Sequence, residues 1–479
     1  MPSFARIVRA ASRAFGYDAV ESSGRRRAPK TKTLDEDRQL TARKRRILSA
    51  TTRDAARNFA IAAWAIRKHL DYVSTFKFQA KTPDRPFNAA LELVLEDLGK
   101  PHNFELTRRH PLRRAVRLTE ACRVKDGDVL WVKFAPAAGL NRGKVQVIEG
   151  DRIVDPPNLN RREREEWRNG LRLSPAGITR DYGISYRDQS GTGFTRHRQI
   201  PAGNAFLHAF YDRFDQGRGI SPVAAALNWF QDTYEGFEYG LAKAKVAQLF
   251  GLKITRDGDT PFHGPGTATP TVDANSDGVE DSGYEVDLGK GPFQLDLNPG
   301  DDAEFLESKT PSAETVDFLK LMVAVALKSL DIPFSFFDES FTNFYGSRGG
   351  LIQYQKSCRT KIADIQELLN AWTAWRLGLM VADGSLQLPP GQLFDFLTWE
   401  WVPDGVPWWD PTKEVRGSAM AVAAAFDNPQ RVCREVGTDV FENIDKTAEV
   451  LDYAREKGVP ITFADATAFQ PEITTATED

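Results

Sequence analysis

A long regular pattern of apolar residues lies between Gly219 and Phe250, and it predicts a helix. Apolar residues recur there at steps of three and four, which places them on one face of a helix. Ser221 can cap the first turn, Pro222 suits the first helical position, and Gly251 can end the helix. The apolar positions are Val223, Leu227, Phe230, Tyr234, Phe237 and Leu241.

A second row on the same predicted helix consists of the small residues Gly236, Gly240 and Ala244. Each glycine inside a helix costs about 1 kcal/mol relative to alanine. Two glycines four residues apart therefore favour a place where another backbone packs closely. From periodicity alone, an ordinary helix buried in a large core is the simpler interpretation.

The chain before this helix predicts a mixed α/β region over residues 42–218. Helical composition runs through 42–73 and 87–98, where apolar residues recur at helical steps. The period then changes, and residues 128–134 and 144–149 predict two strands joined by a Gly-containing connection. The fold class predicted for the whole chain is α+β and mostly helical.

The composition changes again after the first long helix. Residues 252–309 are rich in Gly, Pro, Asp and Thr, which predicts a small β insert carried on loops. Long helices are predicted at about 311–331 and 351–381, with an aromatic, Ser- and Gly-rich loop between them. In the C-terminal region, Asp410–Pro411 and Asn428–Pro429 are pairs of cap and proline that each predict the start of a helix.

Length and charge limit the function classes. A chain of 479 residues can hold a sizeable core and about two to four domains. No apolar run reaches the roughly 20 residues that span a bilayer, so no membrane partner is predicted. Its formal net charge of −3 argues against a protein that grips DNA through many phosphates. The three cysteines have no zinc or disulfide spacing.

Residues 1–41 predict a basic N-terminal arm that is largely disordered. One basic cluster lies at residues 25–32, and a second, Arg43 to Arg46, lies where a helix is predicted to begin. Contact with nucleic acid is one interpretation of these clusters. Docking of a solvated arm on a neighbouring subunit is at least as well supported.

No motif for catalysis is present. The sequence contains no phosphate-binding GxxxxGK[ST] loop, no HExxH and no GxSxG, and its six histidines are scattered. Asp338 and Glu339 are adjacent on a predicted loop, and such neighbours rarely converge on one substrate. We therefore predict no catalytic residues, no cofactor and no enzymatic activity.

One segment resembles a calcium-binding loop. Asp273, Asn275, Asp277 and Asp281 occupy the first, third, fifth and ninth positions, with glycine at the sixth. The twelfth position is Tyr284 instead of a glutamate, and no flanking helices are evident. An acidic turn is the better interpretation, and no metal site is predicted.

Short motifs in a fixed order along residues 17–460 resemble the lambda-type portal proteins of tailed bacteriophages. The segment GRGISP at 217–222 before a long helix is similar to the central signature of that family. NFYGSR at 343–348 is similar to another signature, with Phe344 and Gly346 as departures. Further similar segments are YDA at 17–19, ARN at 56–58, WDPTKE at 409–414 and EVGTD at 435–439.

The resemblance implies a homo-oligomeric ring, usually of twelve subunits, at one vertex of the capsid. Double-stranded DNA would pass through it without sequence specificity during packaging and ejection. The implied partners are the terminase large subunit, the major capsid or scaffolding protein and a head–tail connector protein. The implied location is the virion, after assembly in the cytoplasm of a bacterial host.

The resemblance also implies a role for each segment of the chain. Residues 42–218 would be the wing, and 411–479 a helical crown with the C-terminal tail. The two stem helices would span 219–251 and 310–331, on either side of a β clip. The remaining assignments are the clip at 252–309, a channel loop at 332–350, and a long helix with a return to the wing at 351–410.

The candidate site residues follow from these roles. Gly236, Gly240 and Ala244 are expected to pack against another helix in the stem. The candidates for facing the channel are Asn343, Tyr345, Ser347, Arg348 and Lys356. The alternative functions are an enzyme with a dispersed active site, such as a metal-dependent hydrolase or nuclease, and a monomeric nucleic-acid adaptor.

Overall fold

The computed structural model describes residues 33–137, 139–191, 193–249, 252–256, 301–305, 312–338, 344–405 and 410–461. The described part is α+β and mostly helical, as predicted. Its contacts divide the chain into two compact units. The first unit joins Met1–Phe230 to Ala324–Asp479, and the second is Gln231–Val323.

Helices dominate the N-terminal part of the first unit. They begin where a capping side chain or a proline precedes an apolar repeat, as at Asp84, whose carboxylate accepts a hydrogen bond from the Phe87 amide. The helices are α1 (Glu36–Gln39), α2 (Ala42–Asn58), α3 (Ala60–Val73), α4 (Arg85–Leu98), α5 (Pro101–Phe104), α6 (Leu112–Asp126) and α7 (Arg161–Glu166).

The strands of the same part form antiparallel sheets. They are β1 (Phe76–Ala80), β2 (Asp128–Phe134), β3 (Lys144–Glu149), β4 (Trp167–Arg168), β5 (Leu171–Leu173), β6 (Thr179–Arg187), β7 (Phe194–Pro201) and β8 (Ala205–Ala209). One sheet has the order β3-β2-β8, and another has the order β4-β5-β6-β7. The strands predicted at 128–134 and 144–149 are confirmed with those bounds, and they pair with each other.

The long predicted helix is observed, with a tighter first turn. A 3-10 segment at Pro222–Ala226 leads directly into α8 (Leu227–Leu249). In the second unit, β9 (Leu252–Arg256) pairs antiparallel with β10 (Asp301–Phe305), and α9 (Ala313–Leu327) follows. The segment predicted as a β insert therefore carries a strand near each end, and its middle lies outside the described residues.

The C-terminal part of the first unit contains the longest helix, α10 (Phe344–Ala382). It is followed by β11 (Trp399–Pro403), which pairs antiparallel with β1. Three helices complete the described chain: α11 (Pro411–Ala423), α12 (Pro429–Glu435) and α13 (Val440–Glu456). The predicted caps are confirmed, because Asp410 accepts from the Lys413 amide and Asn428 accepts from the Arg431 amide.

A chain of aromatic rings joins these elements in the core of the first unit. Trp131 on β2 and Trp372 on α10 both pack edge-on against Phe104, with centroids 5.3 and 5.6 Å away. Trp372 also lies 6.4 Å from Trp401 on β11. The Trp131 indole donates to the Thr119 hydroxyl, so its burial leaves no unpaired donor. The core therefore ties the sheet β3-β2-β8 to α10.

Two helical predictions need correction. The helix predicted through 42–73 is interrupted at Phe59, where the backbone is extended (φ −101°, ψ 108°). The helix predicted from residue 351 begins at Phe344, so the second half of the predicted 332–350 loop is helical. Glycines 349 and 350 suggested a loop, but both lie inside the helix. A Cβ added at Gly350 would lie 3.1 Å from the Ser335 hydroxyl and 3.4 Å from Pro333, so a glycine fits there although glycine has a low helix propensity.

Candidate functional site

The GRGISP segment, residues 217–222, forms the point where the chain leaves the sheets and enters α8. Ser221 caps this start as predicted: its hydroxyl accepts from the Val223 amide at 3.2 Å. The same hydroxyl donates to the Val124 carbonyl on α6 at 2.6 Å. The cap therefore also fixes the entry of the helix to the preceding α/β region.

Two glycine backbones touch beside this cap. Gly127 ends α6 in the left-handed region, at φ +95°. A Cβ atom added to Gly219 would lie 1.9 Å from the Gly127 carbonyl oxygen. No side chain fits at that distance, so the second glycine of the segment is required for this close approach.

The arginine of the segment is completely buried and forms the centre of a polar network. The Arg218 guanidinium pairs with both carboxylate oxygens of Asp128, and neither side chain is exposed to solvent. It also donates to the carbonyls of Gly150 at 2.7 Å and Ile153 at 3.0 Å, and to that of Asn169. Burial opposes its charge, but the Asp128 carboxylate outweighs burial and raises the pKa of Arg218. This set of acceptors holds the segment in one position.

A second buried arginine lies against the same group. Arg45 on α2 donates to the Gly219 carbonyl and lies 3.9 Å from Asp37 and 4.0 Å from Asp128. Burial, and then the charge of Arg218, lower the pKa of Arg45 to about 10. The sequence interpretation of residues 43–46 as a solvated or nucleic-acid-binding cluster is therefore wrong for Arg45, which is a structural residue.

A separate buried network links four elements of the first unit. Glu120 on α6 binds His69 of α3 at 2.8 Å, His208 of β8 at 3.4 Å and Arg123 at 2.7 Å. Arg123 continues to Asp364 on α10 at 2.8 Å. Burial alone would raise the pKa of Glu120, but hydrogen bonds from His208 and His69 and the charge of Arg123 hold it well below its usual value. Burial lowers the pKa of His69.

The small residues predicted to pack on α8 behave differently from one another. A Cβ added to Gly236 would lie 2.7 Å from Cδ2 of Leu319 on α9. This glycine therefore lets α9 of the same chain pack closely against α8. No described atom lies within 4 Å of the corresponding Cβ position at Gly240. Ala244 is half-buried.

The predicted apolar face of α8 is buried over only half its length. Val223, Leu227 and Phe230 belong to the core, whereas Tyr234, Phe237 and Leu241 are 41, 47 and 57 % exposed. On α9, Phe318 and Leu321 are each 60 % exposed. The second unit therefore presents an apolar surface, which we name the stem surface, formed by Tyr234, Phe237, Leu241, Phe318 and Leu321.

The candidates for the channel are only partly described. Arg348 lies in the first turns of α10 and pairs with Glu414 on α11 at 2.9 Å. Lys356 is exposed on α10, and Ser347 is half-buried. Asn343 and the side chain of Tyr345 lie outside the described part, as do the calcium-loop residues Asp273, Asn275, Asp277 and Asp281.

A cavity of about 1000 Å³ lies beside Arg348, between α10, β11 and the helices α11 and α12. Its charged lining is mixed: Arg348 pairs with Glu414, and Arg434 pairs with Glu400 at 2.8 Å. Over the residues described, no three His, Cys, Asp or Glu side chains gather in a way that could hold a metal ion. None of the described helices combines the length and apolar character that crossing a bilayer requires.

Sequence comparison places the chain in a known family. A family profile described as "Phage portal protein, lambda family" matches residues 23–361. No curated protein matches the chain at a significant level.

Comparison with solved structures finds weak similarity over most of the chain. A chain from "Neck of empty GTA particle computed with C6 symmetry" is 14 % identical, with a TM-score of 0.49 over 86 % of this chain and 94 % of that one. A portal protein of the HK97 family from Corynebacterium diphtheriae is 10 % identical, with a TM-score of 0.33 over 76 % and 97 %. Because the family profile covers well over half of the residues, the chain belongs to the lambda family of phage portal proteins.

Proposed function

We propose that this portal protein assembles into a closed ring of identical subunits, with twelve as the expected number, at one vertex of a phage capsid. Double-stranded DNA passes through the ring during packaging and ejection. The terminase large subunit, the major capsid or scaffolding protein and a head–tail connector protein dock on the ring. In this proposal the segments keep the roles of wing, stem, clip, channel loop and crown assigned from the sequence.

The observation that carries the proposal is the stem surface. The large apolar side chains of this surface on α8 and α9 are exposed, and Phe318 and Leu321 are each 60 % exposed. Groups of large exposed apolar residues are typical of surfaces that bind a protein partner. A second copy of the same chain is the partner that membership of a portal family supports.

The geometry of α8 supports contact between neighbouring subunits. Gly236 already accommodates Leu319 of its own chain, whereas the Gly240 position is open among the described residues. A glycine in an open position saves no space within the chain, yet it weakens the helix by about 1 kcal/mol. The proposal explains this cost, because a helix of the next subunit can approach at Gly240. Such head-to-tail contacts close into a ring when the rotation between subunits allows it.

The charge distribution supports a channel that does not retain DNA. The chain carries a formal net charge of −3, and the charge of Arg348 is balanced by Glu414 at 2.9 Å. Every phosphate contact adds salt-dependent affinity and would slow the movement of DNA. Lys356 is exposed and forms no ion pair with the described residues. Of Arg348 and Lys356, it is therefore the better channel candidate to test.

The ring can be tested by placing a charge on the stem surface. In Leu321→Asp, burial of the new carboxylate between subunits would oppose assembly. Light scattering of the wild-type chain should give a multiple of the 53.5 kDa subunit mass, and the variant should give a much smaller species. Leu393→Asp provides the matched control, since Leu393 is also exposed, at 64 %, and lies outside the stem surface. A wild-type chain that stays monomeric would refute the proposal.

A further inference from the structure

Four arginines form a basic surface at the beginning of α6. Arg108 and Arg109 lie in the turn before the helix, and Arg113 and Arg114 lie in its first turn. All four are exposed, and none forms an ion pair or a side-chain hydrogen bond with the described part of the chain. We name these four residues the arginine patch.

The patch differs from the rest of its own helix. Arg117, one turn further along α6, pairs with Asp71 at 2.7 Å. Arg123 on the same helix pairs with both Glu120 and Asp364. The chain as a whole has 66 acidic and 63 basic residues, so carboxylates are not scarce. Among the described residues, four charges close in sequence therefore have no ion-pair partner at the start of a helix whose later arginines are paired.

The position of the patch works against the stability of the helix. The positive end of a helix dipole favours acidic side chains and disfavours basic ones. The first turn of α6 contains no acidic residue, and Pro111, which precedes it, contributes no capping hydrogen bond. Arg113 and Arg114 therefore repel both the dipole and each other. The Glu105 carboxylate accepts from the His110 amide just before the helix, but it forms no ion pair with these arginines, so their placement points to a role outside the chain.

The chemistry of the patch favours a polyanion over a protein surface. Protein interfaces have an apolar, often aromatic, centre. Leu118 is the large apolar residue exposed near the patch, at 43 %, whereas the stem surface is made of aromatic and aliphatic side chains. Guanidinium groups bind phosphates through paired hydrogen bonds, and a row of phosphates releases counterions when several arginines neutralise it.

We propose that the arginine patch binds the phosphate backbone of double-stranded DNA without reading its sequence. This inference rests on the proposed function, in which DNA is the polymer that the portal handles. The patch lies at the opposite end of α6 from Gly127, and a helix of this length spans about 22 Å. It belongs to a different helix from the channel candidates Arg348 and Lys356, so it would be a second DNA contact, on the proposed wing.

The test measures the salt dependence of DNA binding by the full-length protein. Fluorescence anisotropy with a labelled duplex of about 30 base pairs gives the observed affinity between about 50 and 200 mM NaCl. Replacing the patch in the variant R108Q/R109Q/R113Q/R114Q should weaken binding. It should also make the plot of log affinity against log salt shallower by about 0.9 for each phosphate that is no longer neutralised, or about 3.6 for four phosphates.

A matched control removes the same charge elsewhere. Arg57, Arg67, Arg161 and Arg162 are also exposed and have no ion-pair partner among the described residues. Their fourfold glutamine variant should change the salt slope by much less. The melting temperature of the patch variant should be no lower than that of the wild type, because two positive charges that repel the positive end of the helix dipole are removed.

The outcomes separate the two proposals. An equal fall in DNA affinity in both fourfold variants would mean that only net charge matters, and it would refute the proposal that the patch is a DNA-binding site. If the patch variant still forms rings and its salt slope is unchanged, the proposal that the patch binds DNA is wrong, whereas the proposed ring is unaffected. Absence of rings with unchanged DNA affinity would assign the patch to a subunit interface and overturn the DNA proposal. A wild-type chain that forms no ring would refute the proposed function. The salt slope of DNA binding would still test whether the patch binds DNA.

Discussion

Arg218 and Asp128 form an ion pair from which solvent is completely excluded, although they lie 90 positions apart in the sequence. The pair fixes the place where the chain leaves the sheets for α8, because Asp128 also accepts a hydrogen bond from the Gly219 amide at 3.0 Å.

Breaking this pair should strongly destabilise the protein. Arg218→Met removes one partner and leaves the Asp128 carboxylate buried without its strongest donor, which costs about 3–5 kcal/mol in comparable buried pairs. Thermal unfolding followed by circular dichroism should show a clear fall in melting temperature. The control is Arg213→Met, whose exposed pair with Glu36 at 3.2 Å should contribute no more than about 1 kcal/mol. Equal melting temperatures for the two variants would contradict the role assigned to Arg218.

Gly240 should be critical for assembly and dispensable for folding. Gly240→Leu adds a side chain whose Cβ would have no described atom of its own chain within 4 Å, so the monomer should keep or gain helicity. The same side chain should obstruct a neighbouring subunit and lower the yield of rings in electron micrographs. Gly240→Ala is the graded control, with a smaller obstruction and a similar gain in helix propensity. Undiminished ring yield with leucine would remove Gly240 from the interface.

Stability should fall on acidification because of the network around Glu120. Burial lowers the pKa of His69 in the folded protein, so the unfolded chain takes up the proton first as the pH falls below about 6.5. The contribution of neutral His69 is therefore complete above that pH and decreases below it. Glu120, whose pKa is also lowered, adds a further decrease in stability once the pH falls below its ordinary range near 4.5.

His69→Gln tests the first of these two steps. The glutamine amide can donate to Glu120 as the imidazole does, but it does not titrate. Melting temperatures measured from pH 8 to pH 5 should fall less steeply in this variant than in the wild type. Parallel curves for the two proteins would show that His69 does not titrate on unfolding in this range.

The C-terminal helices should detach in salt before the rest of the first unit unfolds. The last of them, α13, is held with its cap to β1 and the residue that follows it by ion pairs of Lys77 with Glu442 at 2.6 Å and of Lys81 with Asp439 at 2.7 Å. The other two are tied by ion pairs to α10 and β11, from Glu414 and Arg434. In the described part of α11–α13, Ala454 is the one hydrophobic residue that is buried. Salt shortens the range of charge interactions from about 10 Å at 0.1 M to about 3 Å at 1 M.

Hydrogen exchange can follow this detachment directly. Amides of Val440–Glu456 should exchange faster at high salt, and Lys81→Met should produce the same change at low salt. The strands Asp128–Phe134 and Lys144–Glu149 serve as internal controls and should be unaffected. Equal protection of α13 at both salt concentrations would show that packing, and not charge, holds it.

Local structure was predictable where one short stretch contains all the information. The short apolar segments at 128–134 and 144–149, joined by a Gly-containing connection, predicted both strands with their observed bounds. Asp410 and Asn428 predicted helix starts because a cap and its proline are adjacent in the sequence. These features depend on neighbours that are at most four residues away.

Features that depend on distant partners were not predictable. Arg45 belongs to a run of four basic residues, and only the fold brings it to Asp37, Asp128 and the Gly219 carbonyl. The helical start of α10 was missed because the glycines at 349 and 350 suggested a loop, whereas Ser335 and Pro333 leave little room for a side chain at Gly350. The GRGISP segment was recognised as a family resemblance, but its buried network had no signal in the sequence. The roles of Asn343, Tyr345, Ser347, Arg348 and Lys356 in a channel stay predictions.

Electron microscopy of the purified, full-length chain tests the central claim most directly. The account predicts annular particles with a central opening wide enough for a DNA duplex and with the stem surfaces of neighbouring subunits in contact. Particles without an opening, or rings in which Tyr234, Phe237, Leu241, Phe318 and Leu321 all face solvent, would contradict it.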